Sequence, residues 1–198
     1  MKQQISLRQY RSIDLAILAV VLAVSQMLIH YAVSVWFNGK MHMLYLVSPV
    51  AVIVALVMMR WGAWSAIHAV LGGVMYAWMS GGNWRHFVIY GVGNLFVLAA
   101  LVMIKLLGKE KIRLSGSNTV VFGLLVQALM LCGRAGVAAV LGFAPGECLG
   151  FITTDALSLL FTGCVIWGIR RIDGLFEDQI HYLLRVQSEQ STEGGEQL

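Results

Sequence analysis

Apolar runs dominate this chain, and short polar punctuation divides them into six. Continuous hydrophobic stretches cover residues 13–37, 44–59, 63–79, 87–107, 120–141 and 149–169. Four of them reach the roughly 20 residues that a helix needs to cross a bilayer. The second and third are shorter and are separated only by "RWG" at 60–62, which predicts a tight helical hairpin. Beyond the sixth run, Ile172, Phe176, Ile180, Leu183 and Leu184 recur at helical spacing, with Glu177, Asp178 and Gln179 on the other side. Residues 172–187 are therefore expected to form an amphipathic helix, lying on the membrane surface, against a partner subunit, or back on its own bundle. Residues 188–198 are polar and rich in Gly and Ser, and their composition predicts a disordered tail. The expected fold class is all-α, a polytopic membrane protein built as a six-helix bundle.

Composition strengthens this picture. Of 198 residues, 59% are hydrophobic and 12% charged, and the mean hydropathy is +0.77. A soluble domain carries about twice that share of charge, so the bilayer is the expected solvent. The first run follows Lys2, Arg8 and Arg11, as a signal peptide would. It is too long for a typical signal core and lacks a small-residue cleavage site where one is needed, so it reads as a true span. Cys132, Cys148 and Cys164 lie 16 residues apart with no CxxC pair, which fits packing residues better than a metal or redox site.

The pI near 9.1 raises the question of nucleic acid, and the location of the charges answers it. With the N-terminus inside, Lys2, Arg8, Arg11, Arg60, Lys105, Lys109, Lys111, Arg113, Arg170, Arg171 and Arg185 all fall on the cytoplasmic face. Only Lys40 and Arg85 fall outside. This bias places both termini in the cytoplasm and accounts for the pI through topology. No nucleic-acid partner is expected.

One basic residue belongs to neither face. Arg134 lies within "LMLCGRAGVAAVLG", otherwise entirely small or apolar. It stands seven residues before the outer end of the fifth run, roughly 10 Å below the boundary, and Asp155 stands roughly 9 Å down the sixth. A charge at that depth must find a partner or a wet cavity. Gln26, His30 and Asn94 fall in the same outer layer, and the outer loops add Trp36, His42, Trp78, Trp84, His86 and Glu147. The inner layer holds little besides Asp14 and His68. The asymmetry points to an outward-facing ligand cavity. Plainer readings stand beside it: Arg134 and Asp155 as a structural ion pair, the tryptophans as an interfacial belt, and His68 as an interhelical hydrogen-bonder. No catalytic triad, HExxH sequence or paired carboxylate set is present, so an enzyme is not expected.

The first run also contains Ala19-x-x-x-Ala23, with Ala16 one turn earlier. Alanines four apart form a smooth stripe that lets another backbone approach closely. Together with six short-looped spans and an outer polar pocket, this stripe resembles the substrate-binding S components of energy-coupling factor (ECF) transporters, over residues 10–175. The resemblance implies high-affinity binding of a vitamin-like or other micronutrient molecule, capped by the loop at 37–44, in the plasma membrane of a prokaryote. It also implies partners: a membrane-embedded coupling subunit packed on Ala16, Ala19 and Ala23, and two cytoplasmic ATPases that supply the energy. Arg134 would suit a carboxylate or phosphate, and the tryptophans a flat ring. No cofactor or resident metal is expected, although His30 and His86 leave a haem- or metal-containing ligand open. The alternative is a non-catalytic membrane subunit of a cell-envelope or cell-shape complex. A haem-binding membrane protein is a weaker third reading.

Overall fold

The computed structural model describes residues 6–36, 47–172 and 174–195, with the side chains of Trp36, Gln187 and 189–195 left aside. Among the described residues the chain is helical and has no strand. Helix α1 runs over Leu7–Trp36, α2 over Val50–Trp61 and α3 over Ser65–Met79. The fourth hydrophobic run is α4 (Trp84–Asn94), a 3₁₀ stretch at Leu95–Ala100, and α5 (Leu101–Leu107). A short α6 (Lys109–Leu114) leads into α7 (Gly116–Val140), followed by α8 (Pro145–Thr153), α9 (Leu157–Ile169) and α10 (Gln179–Gly195). Five stretches are long and apolar enough to cross a membrane: Leu7–Val35, Val50–Met79, Trp84–Leu107, Gly116–Val140 and Pro145–Ile169.

The second of these is a folded-back pair. Gly62 takes φ 63°, a left-handed conformation open chiefly to glycine, and a 3₁₀ turn at Gly62–Trp64 joins α2 to α3. The chain reverses there so fully that a Cβ on Gly72 would lie 2.7 Å from Val50 Cγ1. This is the hairpin that "RWG" predicts. Helix α2 is about 18 Å long, and Val50 through Met59 are all buried. A helix apolar on every side belongs inside a bundle, and α2 is its axis. The main core joins α2 to Leu18 and Leu22 of α1, Phe122, Val126 and Met130 of α7, and Ile166 of α9.

Helix α1 sits at the rim, with Ile13, Ile17, Val20, Val24, Met27 and Leu28 exposed. In a bilayer these side chains meet lipid or a partner.

The C-terminal region departs from the periodicity. Gly174 takes φ 71°, so residues 174–178 form a turn and α10 begins at Gln179, seven residues later than expected. It then continues through Gly195, into the stretch whose composition predicts disorder. The turn is fastened to the basic end of the bundle. Arg60 Nη1 donates to the Gly174 carbonyl at 3.2 Å, and Tyr10 donates to Gln179 Oε1 at 2.9 Å. Lys109 pairs with Asp178, and Glu177 takes Arg185 at 2.9 Å and Arg113 at 3.5 Å. Phe176 plugs the core between these contacts.

Burial pushes the Asp178 carboxyl up, but the Lys109 ammonium and the Ile180 and His181 backbone N–H groups outweigh it and hold it below its ordinary 3.8. The stability from this pair is therefore fully present above 3.8 and is lost as pH falls through the lower folded value. Amide exchange in α10 is expected to accelerate over that acid window. Asp178→Asn, which cannot form the ion pair, should exchange faster already at neutral pH and respond less to acid.

Candidate functional site

The site begins as spacing on single helices. Gln127 and Arg134 stand two turns apart on one face of α7, Tyr90 and Asn94 one turn apart on α4, and Asp155, Ser158 and Thr162 follow one another at helical intervals. Asp155 itself lies between α8 and α9, where the sixth run leaves regular helix. The local cause is two consecutive threonines. Thr153 Oγ1 donates to the Leu149 carbonyl at 3.2 Å and Thr154 Oγ1 to the Gly150 carbonyl at 2.6 Å, a back-bonding pattern that bends helices. The chain then tightens through i→i+3 bonds from Ala156 to Thr153 and from Ser158 to Asp155.

Glycines bring these helices together. A Cβ on Gly133 would sit 2.2 Å from the Gly93 carbonyl oxygen, and one on Gly93 would sit 2.7 Å from Arg134 Cα. A Cβ on Gly73 would meet the Tyr90 carbonyl oxygen at 2.2 Å. Thus α3, α4 and α7 touch backbone to backbone at the level of Arg134, which close packing of small residues permits.

At this crossing Arg134 is only 2% exposed. Its Nε donates to Asn94 Oδ1 at 2.7 Å and its Nη1 to Asp155 Oδ2 at 2.5 Å. Asn94 Nδ2 in turn donates to the Ala69 carbonyl of α3 at 2.9 Å. Asp155 also accepts from the Ser158 hydroxyl and from Gln127 Nε2, the latter at 3.5 Å. Ser158 Oγ accepts the Ser48 N–H at 3.0 Å, and Ser48 Oγ donates to Gln26 Oε1 of α1 at 3.3 Å. One buried polar chain therefore ties α1, the lead-in to α2, α3, α4, α7 and α9. The Arg134 guanidinium also lies 4.8 Å from the Tyr90 ring centroid, and Tyr90 lies 4.6 Å from Tyr76. An ion pair removed from water is tolerable only when its remaining lone pairs and protons are occupied, and this set occupies most of them. Gln127 Oε1 and Thr162 Oγ1 stay buried without a partner among the described residues.

An aromatic column leads away from Arg134. Tyr90 meets Phe151 at 5.8 Å, Phe151 meets Phe143 at 6.1 Å, and His86 lies 6.4 Å and 6.5 Å from these two. Arg85 closes it, 5.9 Å from the Phe143 ring and 5.6 Å from Trp84. The column is apolar with a cation at each end, an arrangement suited to an aromatic or anionic small molecule.

Compared with known proteins, the chain matches no family model, no curated protein and no solved structure.

Of the residues expected to bind substrate, Arg134, Asp155, Asn94 and Gln26 meet in one network. His86 joins the aromatic column, with Nδ1 3.0 Å from Asn83 Oδ1. His30 is half-buried on α1 one turn past Gln26. Trp78 and Trp84 are 68% and 64% exposed, as belt tryptophans are. Glu147 caps α8, accepting the Ala144 N–H at 2.9 Å. Trp36 belongs to α1 without a described side chain, and His42 lies outside the described residues. On α1, Ala16 is exposed and Ala19 and Ala23 are half-buried. Near the basic end Asp14 accepts from Arg60 Nε and Nη2 and from Trp61 Nε1, while His68 Nε2 lies 3.0 Å from the Leu15 carbonyl, the interhelical role expected of it. The fold adds Gln127, Ser158, Ser48, Tyr90 and Tyr76, which residue type alone does not single out.

Proposed function

We propose that this chain is the substrate-binding membrane subunit of an ECF-type uptake transporter, taking a small micronutrient from outside the cell. In this reading α2 and α3 each traverse the membrane, giving six spans with both termini in the cytoplasm of a prokaryotic cell. One observation carries it: the fourth and sixth runs both leave regular α-helix beside the Arg134–Asp155 network, at Leu95–Ala100 and at Thr154–Ala156. Solute carriers interrupt their helices where backbone and side chains must face a ligand, and six consecutive residues of 3₁₀ helix are unusual in a span that serves only as a pillar. A flat molecule would enter by parting the rings of the aromatic column, with Arg134 and Asn94, 2% and 0% exposed, beneath them. The exposed side of α1, with Ala16 and the half-buried Ala19 and Ala23, suits the coupling subunit. Two cytoplasmic ATPases would then supply the energy, and the chain itself performs no chemistry.

A second reading draws on the same network. Arg134 already has protein partners for Nε and Nη1, as a purely structural membrane subunit would require. The deciding experiment is purification of the full chain in mild detergent, with mass spectrometry of small molecules released on denaturation. The transporter reading expects a stoichiometric organic molecule that is lost from Tyr90→Leu. It also expects co-purification with an ATPase module that Ala19→Leu abolishes. An empty, well-folded bundle with no ATPase partner would leave the structural subunit standing.

A further inference from the structure

Three arginines converge at the basic end of the bundle, far from the Arg134 network. Arg113, Leu114, Arg170, Arg171, Ile172 and Phe176 line a cavity of ≈ 300 Å³ between α6 and the end of α9. Among the described lining residues none is acidic. Arg113 has a distant partner in Glu177 at 3.5 Å, and Arg171 is exposed. The third is held most awkwardly. The Arg170 guanidinium lies 3.8 Å from the Trp167 ring centroid, and its Nε is buried without a hydrogen-bond partner among the described residues. Its Nη1 crowds the first residue of α7, where a Cβ on Gly116 would come within 1.5 Å of it. The N-terminus of a 25-residue helix carries positive partial charge, so Arg170 faces repulsion where a buried donor is also unused. Both are relieved by an anion.

The rim states what kind. Trp167, Leu114 and Ile172 are 53%, 72% and 56% exposed, and they flank the arginines where a hydrophobic run ends. A free phosphate has no use for apolar walls, whereas a phospholipid needs a cationic cleft for its phosphate and an apolar rim for its acyl chains. We propose that this cleft is a specific site for an anionic phospholipid of the leaflet at the basic end, with the Arg113, Arg170 and Arg171 guanidinium groups gripping the phosphodiester in bidentate fashion. The site is independent of what the outer half of the bundle binds.

Native mass spectrometry of the delipidated full chain, titrated with phosphatidylglycerol or phosphatidylcholine of identical acyl chains, tests it. The first phosphatidylglycerol is expected to be retained in clear preference. Each arginine removed should lower retention about fivefold, in Arg170→Gln and in Arg171→Gln, the second altering only an exposed side chain. Lys105→Gln, which removes an exposed charge at the same end, should leave retention unchanged. Equal retention of the two lipids overturns the proposal, as does an equal loss in Lys105→Gln, which reports diffuse attraction. Displacement of the lipid by millimolar inorganic phosphate would reassign the cleft to a soluble anion and likewise overturn it.

Discussion

Replacing Asp155 by alanine is expected to destabilise the protein by about 3–5 kcal/mol, because it strands a cation inside the bundle. Arg134 would keep its Nε bond to Asn94, but among the described residues Nη1 has no second carboxylate partner. Arg134→Ala should cost a similar amount by stranding Asp155. The double variant Arg134→Met/Asp155→Leu should recover much of the loss, since apolar residues of similar volume often replace a buried ion pair without penalty. Unfolding in mixed micelles, read as a double-mutant cycle, gives the coupling energy. The same double variant separates two roles for the pair: loss of the proposed small molecule from a bundle that still folds assigns it to binding, and retention of the molecule in a folded bundle assigns it to architecture. A cycle with no coupling would remove Arg134 and Asp155 from the centre of the site.

The second large effect is steric. Gly133→Ala places a methyl 2.2 Å from the Gly93 carbonyl oxygen and 2.7 Å from Phe96 Cβ, so backbone blocks it on one side and the root of an aromatic side chain on the other. Overpacking a core costs about 1–3 kcal/mol where side chains can yield, and backbone yields less, so the upper end or more is expected. The separation of α4 from α7 would also pull Asn94 away from Arg134. Gly136→Ala, on the same helix, adds a methyl with nothing within 4 Å of it and should be neutral or slightly stabilising through helix propensity. Thermal unfolding of the two variants in detergent provides the comparison, and equal midpoints would refute the close crossing.

Depth is legible in the sequence because a helix rises by a constant amount per residue. Counting from span ends puts Arg134, Asp155, Asn94 and Gln26 in one layer, and they do meet. Azimuth is legible only in part. Gln127 lies seven residues before Arg134, and Ser158 three after Asp155, spacings that put each on the face of its charged neighbour. Read alone, each looks like an ordinary small or amide residue in a membrane helix. Tyr90 is hidden for another reason: an aromatic in an apolar run gives no sign that a guanidinium stacks on it. The tryptophans draw attention by their size, yet a large amphipathic ring at a span end is as easily an interfacial anchor, and Trp78 and Trp84 are exposed. The start of the C-terminal helix is misjudged because hydrophobic periodicity ignores Gly174, whose φ of 71° interrupts the expected helix and leaves α10 to begin at Gln179.

The reversal at Gly62 has a consequence for parity. A continuous rod from Val50 to Met79 would count as one crossing and send the chain's two ends to opposite compartments. Two antiparallel arms add an even number instead, so in the proposed six-span arrangement the turn at Gly62 is what puts α10 in the same compartment as Leu7.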